Sequence, residues 1–451
     1  MKRACMSFLQ DWLKSDDRKP LVIRGARQVG KTWIVKELAK SNKKKLLELN
    51  FERKPELTSL FESNDPQKII LNISSIFGDV DPQESILFLD EIQVAPELLA
   101  KLRWFAEEIP ELPVVAAGSL LDLVLGELKF SMPVGRINYM YLEPLSFEEF
   151  LLAKKPALLN YIEQYNLDLQ IPIAIHNELI EIFKEYIIIG GMPQAVSSWM
   201  SKNSLMAVNQ IHNDLITTYR DDFNKYTGRL SIERLNEVLT AVPFFLGQKF
   251  MYSKVNSDVQ AGSIKQALNL ICSARICHKI NASAGNGVPL GAEIQEKNLK
   301  VMLLDVGLCS AMLDLAFNQL TTIKDISLIN RGGISEQVTG QILRTIVPCY
   351  VDPTLYYWQR AAKGSNAEVD YLIQHQNKVI PLEVKAGSTG SLKSLHLFMS
   401  LKKLDVAARV NSDLPSTVVV DIKDYEGKPI KYNLLSVPYY LLGQLPRLLK
   451  N

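Results

Sequence analysis

Three groups of residues in this chain have types and spacings suited to chemistry. The first is Gly25-x4-Gly30-Lys31-Thr32, within the run Arg24-Gly25-Ala26-Arg27-Gln28-Val29-Gly30-Lys31-Thr32-Trp33. Glycines at the two ends let the loop, including Gln28 and Val29, turn its backbone N–H groups inward around phosphate oxygens, and a following helix adds positive charge at its N-terminus. Lys31 is placed to reach the β- and γ-phosphates of a nucleotide, and the Thr32 hydroxyl to ligate Mg²⁺. The second group ends the apolar run Ile86-Leu87-Phe88-Leu89 with Asp90-Glu91. Asp90 suits a water-mediated hold on Mg²⁺, and Glu91 suits polarisation of a water attacking the γ-phosphate.

The third group lies late in the chain. Glu368-Val369-Asp370 opens one strand, and Pro381-Leu382-Glu383-Val384-Lys385 ends the next. Residues two apart share a strand face, so Glu383 and Lys385 project together. With Asp370 and the helical Glu336 they would form three carboxylates and a lysine. Such a set binds a hard divalent cation at Glu336, Asp370 and Glu383, while Lys385 orients the attacking water for phosphodiester cleavage. The competing reading of Glu383 and Lys385 is an alternating strand with its polar face in water.

Further residues bear on the nucleotide site. The chain has no Asn-Lys-x-Asp for reading guanine, so ATP is the expected nucleotide. Val114-Val115-Ala116-Ala117-Gly118-Ser119 places a hydroxyl, Ser119, where a strand end would meet the γ-phosphate; a plain turn residue is the alternative. Arg136 serves as an arginine finger or as an internal charge stabiliser, in its own site or a neighbour's.

The elements that must position these groups change character along the chain. Strands at 21–23, 45–50, 86–90 and 114–117 alternate with helices at 32–40 and 96–107, the pattern of a parallel sheet covered by helices on both faces. A mostly helical stretch follows from Phe147 to about Tyr226. Helices at 232–245 and 263–273 and strands at 276–280 and 299–304 follow the order of a winged helix-turn-helix. The last part predicts a helix at 335–347, strands at 355–358, 368–373 and 379–384, a helix, and a strand at 417–420. The expected division is a nucleotide domain at 1–155, a helical connector or lid at 156–230, a winged helix at 231–318 and a compact α/β domain at 319–451.

Composition narrows the class. An apolar fraction of 47% and a charged fraction of 22% fit an ordinary globular chain of 451 residues and argue against disorder. With 51 Lys and Arg against 49 Asp and Glu, the charge of +2 exerts no global pull toward nucleic acid or membrane. Any DNA-binding face must be local, with Lys265, Arg275, His278 and Lys279 on the winged segment and Gln359, Arg360 and Lys363 before Asp370 as candidates. No apolar run approaches the ~18 residues of a membrane span, and five cysteines without a Cys-x-x-Cys pair favour reduced thiols in the cytoplasm.

The segments GARQVGKT, ILFLDEIQ, AAGS, GRINYMYLEPLSFEEF, GGMP and LDVGL resemble a large group of bacterial and archaeal ATPases of the AAA type, over about residues 15–390. That resemblance implies an AAA-type P-loop NTPase sheet, a middle winged helix and a C-terminal domain of unknown function similar to the restriction-endonuclease fold. Glu336, Asp370, Glu383 and Lys385 resemble the D…E-x-K pattern of such enzymes. The expected protein hydrolyses ATP with Mg²⁺ and acts on DNA through its winged-helix and nuclease-like domains. The alternatives are a nucleotide-dependent switch or scaffold that binds a protein partner and never cuts, and a defence nuclease released by ATP turnover. AAA-type ATPases commonly assemble as rings, so an oligomer also stands as an expectation.

Overall fold

The computed structural model describes residues 1–125, 132–133, 135–226, 230–315, 332–360, 366–385, 392–423 and 427–449. The chain divides into two compact units: Met1–Glu143 with Ser273–Arg275 and Pro348–Asp352, and Pro144–Cys272 with Ile276–Val347 and Pro353–Asn451.

The first unit is built on β1 (Leu21–Arg24), β2 (Lys45–Asn50), β3 (Ser85–Asp90), β4 (Val114–Ala117) and β5 (Asn138–Tyr141), in the order β2-β3-β4-β1-β5. Each neighbouring pair is parallel. Every residue of β3 and β4 is buried, as a parallel sheet covered on both faces requires. Leu47, Leu49, Leu87 and Leu89 pack with Ile69 and Ile73 of the Pro66–Phe77 helix and with Leu99 and Phe105 of the Leu98–Glu108 helix. Strand β1 lies between β4 and β5, and the phosphate-loop residues leave its C-terminal end, where ligands of open parallel sheets bind. Strand β5 carried little apolar signal because it pairs only with β1 at the sheet edge and fully buries Met140 alone. The Pro66–Phe77 helix also went unread, although Asp65 caps it by accepting from the Gln67 and Lys68 N–H groups and Pro66 opens it.

The second unit begins with helices, among them Phe147–Lys154, Ile173–Ile189, Pro193–Lys202 and Leu205–Asp222. It continues into an eight-stranded mixed sheet of β6 (Cys277–Ser283), β7 (Ile294–Leu303), β8 (Leu355–Gln359), β9 (Glu368–His375), β10 (Lys378–Val384), β11 (Val406–Asn411), β12 (Ser416–Lys423) and β13 (Pro429–Pro438). Their order is β12-β13-β11-β10-β9-β8-β6-β7. The helix Lys393–Lys402 buries Leu395, Phe398 and Met399 against Trp358, Leu372 and Ile430 of this sheet. The helix Gly333–Thr345 comes close enough to β9 that a Cβ on Gly340 would sit 2.6 Å from the Tyr371 hydroxyl.

This sheet runs across the expected boundary at 318/319. The helix–helix–hairpin order is present, but the hairpin β6–β7 is not a free wing: β6 pairs in parallel with β8, from Ile280 opposite Leu355 to Ala282 opposite Tyr357. The expected boundary at 318/319 therefore falls between strands of one sheet. A parallel partner is reached only through a long crossover, here including the Gly333–Thr345 helix, so local order could not reveal it. The helix Phe147–Lys154, assigned by sequence to the nucleotide domain, belongs to the second unit.

Two of the motifs quoted above meet in the second unit. Asp305 is fully buried after β7 and caps the Val306–Met312 helix, its Oδ1 accepting from Gly307 N at 2.9 Å and Leu308 N at 3.2 Å. Its Oδ2 accepts from Gly191 N at 2.6 Å and from Gln341 Nε2 at 3.0 Å. Burial still raises its pKa, with the Gly191 hydrogen bond acting against it. Gly191 is obligatory for a steric reason, since a Cβ there would lie 2.1 Å from the Leu145 carbonyl oxygen. Gly191→Ala should destabilise the second unit by about 1–3 kcal/mol. Gly287→Ala, where a Cβ meets nothing within 4 Å, should not. Urea denaturation of the two variants distinguishes the cases, and equal midpoints would refute this packing.

Candidate functional site

The phosphate loop is shaped by its backbone. A Cβ on Gly25 would lie 2.5 Å from the Leu142 carbonyl oxygen, so no larger residue fits. Gln28 (φ 65°) and Gly30 (φ 99°) turn the chain through left-handed conformations into the helix Lys31–Ser41, whose N-terminus no side chain caps. An uncapped helix start presents N–H groups to an anion. Val29 is fully buried, and its carbonyl accepts from Arg3 Nη1 at 3.0 Å while Arg3 Nη2 reaches Glu143 O at 2.7 Å. Gln28 is exposed. Val29 thus contributes packing, and Gln28 its backbone turn.

Lys31 is buried, its ammonium donating to Gly25 O at 3.0 Å and Ala26 O at 2.7 Å. Burial lowers its pKa to about 8; Glu91 and Asp90 pull it up, while Arg27 and Arg275 push it down. Thr32 Oγ1 lies 3.2 Å and 3.3 Å from the two carboxylate oxygens of Asp90. Asp90 is itself buried, and burial, then Glu91, raises its pKa to about 6 despite hydrogen bonds from Asn50 and Thr32. Glu91 follows in a left-handed conformation (φ 54°), its Oε2 accepting from Gln93 Nε2 at 2.6 Å.

Ser119 lies beyond the end of β4, with its hydroxyl buried and without a hydrogen-bond partner among the described atoms. Arg136 is not drawn into this group: it forms a surface ion pair with Glu107 at 2.7 Å. A different arginine is buried in this unit. Arg275 holds Asp352 at 3.1 Å, pairs with Asp122 and lies 3.9 Å from Glu143. Asp122 also pairs with Arg24 at 3.0 Å, directly before Gly25. Burial alone would lower the Arg275 pKa, but Asp122, Asp352 and Glu143 raise it.

Sequence reasoning missed Asn50, Gln93 and the role of Arg275. Asn50 had a signal, a polar residue ending an apolar strand, but only the β2–β3 register sets it opposite Asp90, where its Nδ2 donates to Oδ2 at 3.0 Å. Arg275 and His278, expected on a basic surface, are both 7% exposed, and Lys279 donates to Asn269 at 2.6 Å. Two of that expected basic set are therefore withdrawn from the surface, while Lys265 stays exposed. Lys363 lies outside the described residues.

In the second unit, Glu383 Oε1 pairs with Lys385 at 2.8 Å, as the strand alternation implied. Asp370 Oδ2 accepts from Val384 N at 2.7 Å. Burial, then Glu383 and Glu336, raises the Asp370 pKa well above the usual carboxylate range, so these three acids share one electrostatic neighbourhood. No local pattern marks Lys300 on β7, whose Nζ lies 2.8 Å from Glu336 and 2.5 Å from Glu368. Burial disfavours its charge, but Glu336, Glu368 and Asp370 outweigh that and hold its pKa well above the ordinary lysine value. Among the described residues no group of three or more His, Cys, Asp or Glu side chains is arranged to hold a metal ion. Two of the three expected carboxylates, Glu336 and Glu383, are each paired with a lysine, Lys300 and Lys385.

Comparison with known proteins matches three segments of the chain. Residues 17–151 match an AAA domain, so the first unit contains an AAA-type P-loop domain. Residues 180–319 match one domain of unknown function (DUF8612) and residues 331–431 another (DUF4143). No curated protein matches the chain. Among solved structures, the ORC1 protein of Aeropyrum pernix in complex with DNA is 13% identical over 70% of this chain and 91% of that one, with a TM-score of 0.27. The ORC2 protein of the same organism, in ADPNP–ADP complexes, is 13% identical over 71% and 93%, at 0.34. The RuvB Holliday junction branch migration motor of Thermotoga maritima is 16% identical over 65% and 90%, at 0.27. Overlaps this loose define no shared ligand. No helix among the described residues is long and apolar enough to cross a membrane.

Asn50 positions the Asp90 carboxylate; on the expectation that Asp90 serves Mg²⁺, Asn50→Ala should lower Mg²⁺-dependent ATP turnover by about tenfold, the loss typical of a residue that orients a metal-holding group. Steady-state hydrolysis measures this; unchanged turnover would remove Asn50 from the site.

Proposed function

We propose that this protein is a Mg²⁺-dependent ATPase whose C-terminal unit engages the backbone of DNA. The observation that carries the ATPase reading is the 3.2 Å approach of the Thr32 hydroxyl to the Asp90 carboxylate beside the buried Lys31 ammonium. Two hard oxygen donors side by side fit Mg²⁺, and Thr32 and Asp90 would hold it. Bound there, the ion would withdraw charge from the phosphate oxygens. Lys31 then exchanges its two loop carbonyls for β- and γ-phosphate oxygens, which return the full charge that burial disfavours. Glu91, steadied by Gln93, accepts the proton of the attacking water. Ser119 offers its unpartnered hydroxyl to the γ-phosphate, and Arg275 keeps Asp122 and Arg24 fixed behind the loop. Arg136, paired with Glu107, acts as a finger only if that pair opens.

The C-terminal reading rests on weaker support. The order helix Gly333–Thr345, β8, β9, β10, helix Lys393–Lys402, β11, with β10 and β11 parallel, is consistent with a restriction-endonuclease-like core. A cleft of about 530 Å³ lined by Arg360, Lys393 and Lys423 supplies positive charge for phosphates. The second reading, a nucleotide-dependent switch with a non-cleaving C-terminal domain that binds a protein, is favoured by the burial of Arg275 and His278 and by the pairing of Lys300.

Hydrolysis of ATP by the full chain, with and without single-stranded, duplex and forked DNA, tests both parts. Lys31→Ala should abolish turnover, and Glu91→Gln should slow it about 100-fold while ATP still binds. Turnover that survives Lys31→Ala would overturn the ATPase reading. Turnover indifferent to every DNA form would move the C-terminal unit to the protein-binding reading.

A further inference from the structure

The C-terminal carboxylates are not left waiting for a cation. Lys300 is 1% exposed, and its Nζ sits 2.8 Å from Glu336 Oε2 and 2.5 Å from Glu368 Oε1, with the Tyr357 ring centroid 5.2 Å away. Three other oxygens of the cluster are also engaged or confined. Asp370 Oδ2 takes the Val384 N–H, and Glu383 Oε1 takes the Lys385 ammonium. Glu336 Oε1 lies so near Gly247 that a Cβ there would come within 2.6 Å of it. Among the described atoms of these four acids, Glu383 Oε2 is the one that is buried without a partner.

A divalent ion needs about six oxygens at roughly 2.1 Å if it is Mg²⁺. Lys300 already occupies the space between two of the acids, and two cations in one buried pocket repel strongly. Removing a buried ammonium from two carboxylates that neutralise it is also costly. The fixed lysine therefore excludes the metal by occupancy and by charge. We infer that Lys300 is a built-in cation that takes the place of a divalent metal in the Glu336, Glu368, Asp370 and Glu383 cluster, so that this site does not catalyse metal-dependent cleavage. The inference rests on reading Asp370, Glu383 and Lys385 as a nuclease-like site, and it is compatible with DNA binding there.

The test uses the full chain without nucleotide, carrying Asp90→Asn to silence the phosphate-loop metal position, and Mn²⁺ as the probe. Electron paramagnetic resonance reads bound Mn²⁺, and thermal unfolding with and without the ion reads it independently. The parent with Lys300 intact should bind no Mn²⁺ at the cluster. Lys300→Gln should bind one ion at least about tenfold more tightly than the parent, gain thermal stability from it, and lose both effects on adding Asp370→Asn. If Lys300→Gln does not fold, Lys300→Gln with Glu368→Gln, which removes one negative charge as well, takes its place. Mn²⁺ bound by the parent and lost with Asp370→Asn would overturn the inference, as would a folded Lys300 variant that gains no ion. Cleavage of DNA by the parent in Mn²⁺ would uphold the nuclease reading while refuting the inference. A Lys300 variant that binds Mn²⁺ and leaves DNA intact would uphold the inference and count against the nuclease reading.

Discussion

The Thr32–Asp90 contact is the constraint on which the first unit depends. The two residues leave strands that are not neighbours, because β4 lies between β1 and β3. Only the strand order brings the loop after β1 to the end of β3, and only the pairing of β2 with β3 sets Asn50 beside Asp90. Burial then makes both charges costly, in opposite directions: Lys31 is pulled down to about 8 and Asp90 pushed up to about 6. Under the proposed function, a phosphate beside Lys31 and a cation beside Asp90 would relieve both at once.

The second unit meets the same cost of buried charge differently. Lys300 and Lys385 neutralise acids from within the fold, and Asp305 spends its oxygens on Gly191, Gly307, Leu308 and Gln341. Where the first unit leaves its charges to be completed by a ligand, the second completes them itself.

What could be read from the sequence follows the range of the interactions. The phosphate loop, the Asp90-Glu91 strand end and the Glu383–Lys385 face are local patterns, and each lies on the element expected for it. Asn50, Arg275 and Lys300 act through neighbours that are 40, 153 and 36 residues away in the chain, and no local pattern marks them. The hairpin β6–β7 misled for the same reason, since its order is local and its partner β8 is not. Strand β13 was readable in principle, with Ile430, Tyr432 and Leu434 buried in alternation, whereas β11 is a short Ala- and Val-bearing run that pattern alone does not separate from helix.

The most direct measurement is calorimetric titration of ATP into the full chain with Mg²⁺ and again with the metal chelated, for the wild type and for Thr32→Val. The account predicts binding that tightens with Mg²⁺ in the wild type and loses that enhancement in Thr32→Val. ATP binding of equal strength with and without the metal, or the same metal enhancement in both proteins, would contradict it.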